Sequence, residues 1–231
     1  MVGAPYKDHS GKTDAGSAYV FALSNGNWIQ KSIFNPSDPA EDGRFGFAVG
    51  VSGNTAVISA PNATVQGTAK VGALYTFNCQ DFNGDTWIAG QKLEPIFVQA
   101  FMGFGFSLVI EGNTIFTGAP FFDFQGINGT GLTQSFKRTN GVWSKAMHGE
   151  YTIPNAQTGM SVALNGADYW YGSPGWDTDK GRVKVGNFNH VYDTDPDLQR
   201  HFGRNMAAHN GQFIIAAPGG PHGTVFFGIR D

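Results

Sequence analysis

Short apolar runs separated by polar turns make up nearly the whole chain, and a 3.6-residue apolar period is nowhere convincing. Phe47-Ala48-Val49-Gly50-Val51 is followed by Ser52-Gly53-Asn54 and then by the β-branched run from Thr55 to Ala60. The same arrangement recurs at Phe106–Ile110 with Glu111-Gly112-Asn113, at Met160–Leu164 with Asn165-Gly166, and at Asn205–Ala208 with Asn210-Gly211. Gly-Asn or Asn-Gly between two apolar runs predicts a tight β-hairpin, because such turns need positive φ. The first run of each pair (strand A) is small and apolar on both faces. The second (strand B) is β-branched or aromatic and ends at a proline, which cannot donate to a β-ladder.

That proline belongs to a recurring tripeptide: Gly3-Ala4-Pro5, Ser59-Ala60-Pro61, Gly118-Ala119-Pro120, Gly172-Ser173-Pro174 and Ala216-Ala217-Pro218. A second mark precedes four of them, at Phe45-Gly46, Phe104-Gly105, Thr158-Gly159 and Phe202-Gly203. From the first residue of this mark to the matching proline the distance is 16 in all four cases, while successive prolines lie 56, 59, 54 and 44 residues apart. A constant interval inside the unit, with variable intervals between units, is what one repeated supersecondary element with elastic loops produces. Runs beginning at Gly16, Gly72, Gly181 and Gly223 supply a strand C, and runs beginning at Trp28, Trp87 and Trp143 supply a strand D.

These marks resemble the FG-GAP repeat of integrin α-subunit propellers, and the resemblance covers nearly the whole chain. It implies an all-β fold: a β-propeller of about five four-stranded antiparallel blades, with incomplete terminal blades. The expected organisation is a single domain over 1–231, with repeats at about 1–34, 35–93, 94–150, 151–200 and 201–231. The first repeat reads as strands B to D and the last as A to C. The expectation is therefore a five-bladed ring with two three-stranded members, lined by strand A, and the alternative is a piece of a larger propeller. Integrin-type repeats often carry calcium in the A–B connection. Here that turn is too short and too poor in carboxylates to supply six to eight oxygen ligands, so no calcium site is carried over.

Composition narrows the function classes. A net charge of −3 without any basic cluster gives no electrostatic reason to expect nucleic acid. No apolar run approaches a membrane span, and membrane insertion is not expected. Cys79 is the only cysteine, so no intrachain disulfide forms. None of the six histidines has a metal-ligand spacing, and neither a nucleophile elbow nor a phosphate-cradling loop occurs. A catalytic role, such as a polysaccharide-active enzyme, is the minority reading, and no cofactor is implied.

Candidate binding residues fall in the B–C loops, whose contents vary while the framework does not. They are Tyr6 and Asp8, then Phe121, Phe122 and Asp123, then Trp176, Asp177 and Asp179, and finally His222. Rings beside carboxylates suit a sugar, whose C–H face stacks while its hydroxyls donate, and they equally suit a protein anchor. Burial of the three phenylalanines beneath their own loop is the alternative. The aligned Trp28, Trp87 and Trp143 read as packing between blades. Asp193, Asp195 and Asp197 are the weak metal candidates, ahead of a hairpin tip at Asp81-Phe82-Asn83-Gly84-Asp85. The leading expectation is a non-catalytic recognition or adhesion module, extracellular or at the cell surface, that binds a glycan or protein ligand. The alternative is a structural building block of an extracellular or virion-like assembly, self-associating through open edge strands.

Overall fold

The structure, a computed structural model, describes residues 1–81, 86–148, 152–186, 189–195, 199–220 and 222–229. Its strands are β1 (Val2–Ala4), β2 (Ser17–Ser24), β3 (Asn27–Phe34), β4 (Val49–Ser52), β5 (Thr55–Ala60), β6 (Ala73–Cys79), β7 (Trp87–Leu93), β8 (Ser107–Glu111) and β9 (Thr114–Ala119). They continue with β10 (Leu132–Thr139), β11 (Val142–His148), β12 (Val162–Asn165), β13 (Asp168–Ser173), β14 (Arg182–Val185), β15 (Asn189–Val191), β16 (Asn205–His209), β17 (Gln212–Ala217) and β18 (Thr224–Ile229). One helical turn, α1 (Trp176–Asp179), separates β13 from β14. Sheets β4–β7, β8–β11 and β12–β15 are four-stranded, whereas β1–β3 and β16–β18 are three-stranded. Each pairs its strands in sequence order and antiparallel, as in a propeller blade.

The described residues form two compact units, one of Met1–Gly105 with Arg138–Trp143, the other of Phe106–Lys137 with Ser144–Asp231. The first contains sheets β1–β3 and β4–β7. The second contains β12–β15, β16–β18 and the body of β8–β11.

The A–B hairpins close through two residues. Ser52 pairs Thr55, Glu111 pairs Thr114, Asn165 pairs Asp168 and His209 pairs Gln212. Positive φ at Asn210 and Gly211 is the signature of a primed turn. Such turns leave no room for a calcium loop.

The two sequence marks meet across neighbouring repeats, which explains both. The first residue of the Phe-Gly mark donates its N–H to the residue just before strand C of the preceding repeat. The pairs are Phe45 to Ala15 (2.9 Å), Phe104 to Val71 (3.0 Å), Thr158 to Thr130 (3.1 Å) and Phe202 to Lys180 (3.0 Å). The following glycine then lies against the Gly-Ala-Pro strand of that preceding repeat. A Cβ on Gly172 would overlap the carbonyl oxygen of Gly203, and one on Gly118 would overlap that of Gly159. The phenylalanines Phe45, Phe104 and Phe202 are fully buried at these seams. Thr158, which replaces one of them, is also buried and hydrogen-bonds Ser173 through its hydroxyl at 3.0 Å.

Sheet packing is aromatic-rich. Phe34 stacks on Phe77 at 4.3 Å in the first unit, and Trp170 meets Phe213 at 5.3 Å in the second. Of the aligned tryptophans, Trp143 is buried beneath the Arg138 guanidinium at 5.1 Å, and Trp87 meets Phe34 edge-on at 5.4 Å. Trp28 departs from the expected packing: it is 70% exposed. The shared position at the start of strand D therefore does not by itself bury the ring.

Candidate functional site

The B–C loops are built rather than loose. In three repeats the loop folds into a miniature hairpin, closed by bridges His9–Lys12, Val65–Thr68 and Phe124–Ile127. Their tips, Ser10-Gly11, Gln66-Gly67 and Gln125-Gly126, all have positive φ. This framework uses up several of the residues that the sequence offered as ligands. Asp8 accepts the Asp14 N–H at 3.1 Å, and the equivalent Asp123 accepts the Gly129 N–H at 2.7 Å. Both carboxylates therefore serve the loop. Phe122 is buried beneath its loop and presents nothing to a ligand. Phe121 is partly exposed and meets Phe106 edge-on at 5.4 Å.

Tyr6 is exposed, with the Arg44 guanidinium 5.5 Å from its ring. Arg44 in turn bonds Asp42 at 2.8 Å, and Lys70 reaches the other oxygen of that carboxylate at 3.0 Å. Partial burial pushes the Asp42 carboxyl up, but the bonds and charges of Lys70 and Arg44 outweigh it and hold the group below its ordinary value. Asp42 is thereby saturated by protein cations. His222 is exposed on the loop between β17 and β18.

The fourth repeat is different. No miniature hairpin forms there, and α1 carries three successive non-glycine residues in the left-handed region: Asp177 (φ 47°), Thr178 (55°) and Asp179 (70°). Each such residue costs about 1 kcal/mol, and strain of this kind collects where a chain must present particular groups. The turn forms one wall of a concavity of about 160 Å³ lined by Trp176, Asp177, Lys180, Tyr192, Asp193 and Asp195. Trp176 and Tyr192 face each other at 5.2 Å with their planes tilted by 50°. Behind them, the guanidinium of the buried Arg182 lies 5.2 Å from the Trp176 ring. Four residues from separate sequence candidates, Trp176, Asp177, Asp193 and Asp195, thus converge on one cavity.

The carboxylates here each lie beside a nitrogen-bearing side chain. Asp177 pairs with Lys180 at 3.0 Å, and Asp179 with His201 at 3.7 Å. Arg200 pairs with Asp195 at 3.2 Å and lies 3.8 Å from Asp193. Among the described residues no group of three or more His, Cys, Asp or Glu is arranged to hold a metal ion. Asp197 lies outside the described residues, as do Phe82–Asp85 of the hairpin-tip candidate. One oxygen of the nearly buried Asp193 accepts no hydrogen bond within the chain, while the other takes the Asp195 N–H at 3.0 Å. That unbonded oxygen is itself buried and lies 3.8 Å from Arg200, so what the cavity offers is two rings, the exposed Asp177 carboxylate and a lysine. Tyr192, Lys180 and Arg200 were not among the sequence candidates.

Residues 28–77 match the family model described as FG-GAP repeat. That match spans β3 to most of β6, and so crosses the first Phe-Gly mark, the A–B hairpin and strand C. No curated protein matches the chain. Among the described residues no helix is long and apolar enough to cross a membrane.

Proposed function

Since the chain carries an FG-GAP repeat on a blade-like all-β fold, a module typical of adhesion and recognition proteins, we propose that it is a non-catalytic recognition domain that binds a glycan in the fourth-repeat cavity. The observation that carries this is the convergence of Trp176, Tyr192, Asp177 and Lys180 on a concavity the size of one sugar ring. A pyranose presents an apolar C–H face to an indole and hydroxyl donors around its rim. Trp176 supplies the stacking surface, and the exposed carboxylate of Asp177 accepts from a hydroxyl at the rim. Lys180 donates to a ring or hydroxyl oxygen. The left-handed turn holds Asp177 at the rim before ligand arrives, which lowers the ordering cost of binding.

The reading places the module outside the cell or at its surface, where FG-GAP repeats are common. A glycan array followed by calorimetry on the best ligand tests it. The expected result is millimolar to micromolar binding by the wild type and a loss of about tenfold or more for Trp176→Ala, since that factor corresponds to ~1.4 kcal/mol of lost contact. Absence of any glycan ligand, or equal binding by the Trp176→Ala variant, overturns the assignment.

A further inference from the structure

Two left-handed positions in the first unit carry side chains that their counterparts in other repeats avoid. Three residues before the Phe-Gly mark, the second and fourth repeats have Asp42 (φ 53°) and Asn155 (φ 55°), whereas the third has Phe101 (φ 66°). Two residues before the glycine that opens strand C, other repeats have Asp14, Gly129 and Asp179, whereas the second has Lys70 (φ 59°). Asp, Asn and Gly tolerate this conformation, and a bulky ring is an outlier in it. Phe101 gains no burial in exchange, since it is 68% exposed. Backbone strain without burial marks a side chain that the fold holds out to solvent.

The two positions are tied together. The Phe101 N–H donates to the Lys70 carbonyl at 2.7 Å, and the Lys70 ammonium lies 5.7 Å from the Phe101 ring. From there a continuous row of contacts runs from Lys70 to Asp42, from Asp42 to Arg44, and from Arg44 to the exposed Tyr6 ring. The row reads ring, cation, carboxylate, cation, ring, and all of it lies in the first unit. Two cations exceed the one carboxylate, to which the Asn62 amide also donates at 3.3 Å. Among the described residues Arg44 gives only its Nε–H to an acceptor, and Lys70 only one of its three hydrogens. Their side chains are 35% and 38% exposed, so a ligand can reach the remaining donors.

We propose that this row is a second ligand site, for a polysaccharide that bears uronic acids. One uronate lays its C–H face on Phe101 and its carboxylate on Lys70. The next places its carboxylate on Arg44, with the Tyr6 ring beyond. Such a polymer carries an apolar face and one anion in every residue, which matches the order of rings and cations along the row. Asp14 and Glu41 belong to the same loops, joined through the Arg44 N–H to the Asp14 carbonyl and the Thr13 N–H to the Glu41 carboxylate. They keep the surroundings from becoming a broad basic field, so one anion per sugar suits the site better than the denser charge of a sulfated chain. An acidic peptide holds its charges on flexible arms that must be ordered, and it offers no rigid face to the rings. The site shares no residue with the fourth-repeat cavity and stands whether or not that cavity binds sugar.

Calorimetry with a galacturonate hexamer tests the proposal, on a Trp176→Ala background so that the indole of the fourth-repeat cavity is absent. Millimolar to micromolar binding is expected, and binding about tenfold or more weaker for the methyl-esterified hexamer, which keeps the ring faces and loses the charges. Lys70→Gln and Phe101→Asn are each expected to weaken binding by about tenfold or more. Asn fits the left-handed position, as it does at Asn155, so Phe101→Asn is expected to melt no lower than its parent. Lost binding without lost stability is what a merely structural ring would not give. Lys70→Gln carries the test alone should Phe101→Asn fail to fold. A hexamer that does not bind, or that binds both variants as well as their parent, overturns the proposal. So does a glutamate peptide of equal charge that binds as tightly as the hexamer.

Discussion

The B–C loops of the third and fourth repeats start from similar material and end in opposite arrangements. Phe121-Phe122-Asp123-Phe124 and Trp176-Asp177-Thr178-Asp179 both follow a Gly-x-Pro strand end with aromatic and acidic residues. In the third repeat Gln125-Gly126 makes a two-residue turn, Phe124 bridges Ile127, Asp123 caps Gly129, and Phe122 is buried. In the fourth repeat no glycine lies between Gly175 and Gly181. Its chain turns through three left-handed side-chain-bearing residues, and its ring stays at a cavity wall. What separates a self-satisfied loop from a receptive one is therefore where the loop's own N–H groups find acceptors. Aromatic and acidic content alone does not distinguish them.

The contrast predicts different losses for the two rings. Phe122→Ala is expected to destabilise the protein by about 3–5 kcal/mol, the range for emptying a buried aromatic site, and to leave glycan affinity unchanged where folded protein remains. Trp176→Ala should lower stability by only about 1 kcal/mol while removing binding. Urea unfolding alongside calorimetry separates the two, and a stability loss of equal size for both would erase the distinction.

Beneath both loops runs the same seam, so Gly118→Ala and Gly172→Ala are expected to behave alike. Each new methyl would meet a backbone carbonyl of the next repeat, which cannot move aside as a side chain could. A loss of about 2–3 kcal/mol is expected for each in thermal unfolding. A neutral result at either position would mean that the seam yields without loss.

Thr178→Gly should act in the opposite direction and more weakly. Relieving the left-handed residue stabilises the folded loop by about 1 kcal/mol, offset in part by greater freedom of the unfolded chain. If the turn pre-sets Asp177 for ligand, the same change weakens glycan binding, so stability and affinity move apart.

The repeat frame was legible because two physical needs leave fixed letters. Hairpin tips need Asn-Gly or Gly-Asn, and the close approach between repeats needs glycine against the Gly-Ala-Pro strand. Strand β10 and strand β15 were not identified from sequence. The first lacks the β-branched run of its counterparts, and the second is only three residues long without an initial tryptophan. The miniature hairpins escaped because a bridge of one pair makes no apolar run, although Ser10-Gly11, Gln66-Gly67 and Gln125-Gly126 share a glycine at the same place. At the site, Trp176 and Asp177 were visible as loop residues. Tyr192 and Arg200 were not, because they enter the cavity region through tertiary placement after an unmarked strand.

The seam between the third and fourth repeats also carries a half-buried histidine. His148, at the end of β11, stacks on Tyr169 at 4.3 Å, meets Phe116 edge-on at 5.8 Å, and shares a hydrogen bond with the Ser135 hydroxyl at 2.8 Å. Burial disfavours the imidazolium and lowers the pKa of His148 below its ordinary value. The folded state then binds fewer protons than the unfolded chain as pH falls through about 6.5, the unfolded value, so this stabilisation is present above that pH and is lost progressively below it. Melting temperature should fall between neutral pH and about pH 5, and His148→Gln should flatten that slope while lowering stability at neutral pH through the lost ring contacts. The imidazole beside Tyr192 is a different one, that of His190 at 6.1 Å, so glycan affinity should not follow the His148 titration. A slope unchanged by the substitution would assign the acid sensitivity to other groups.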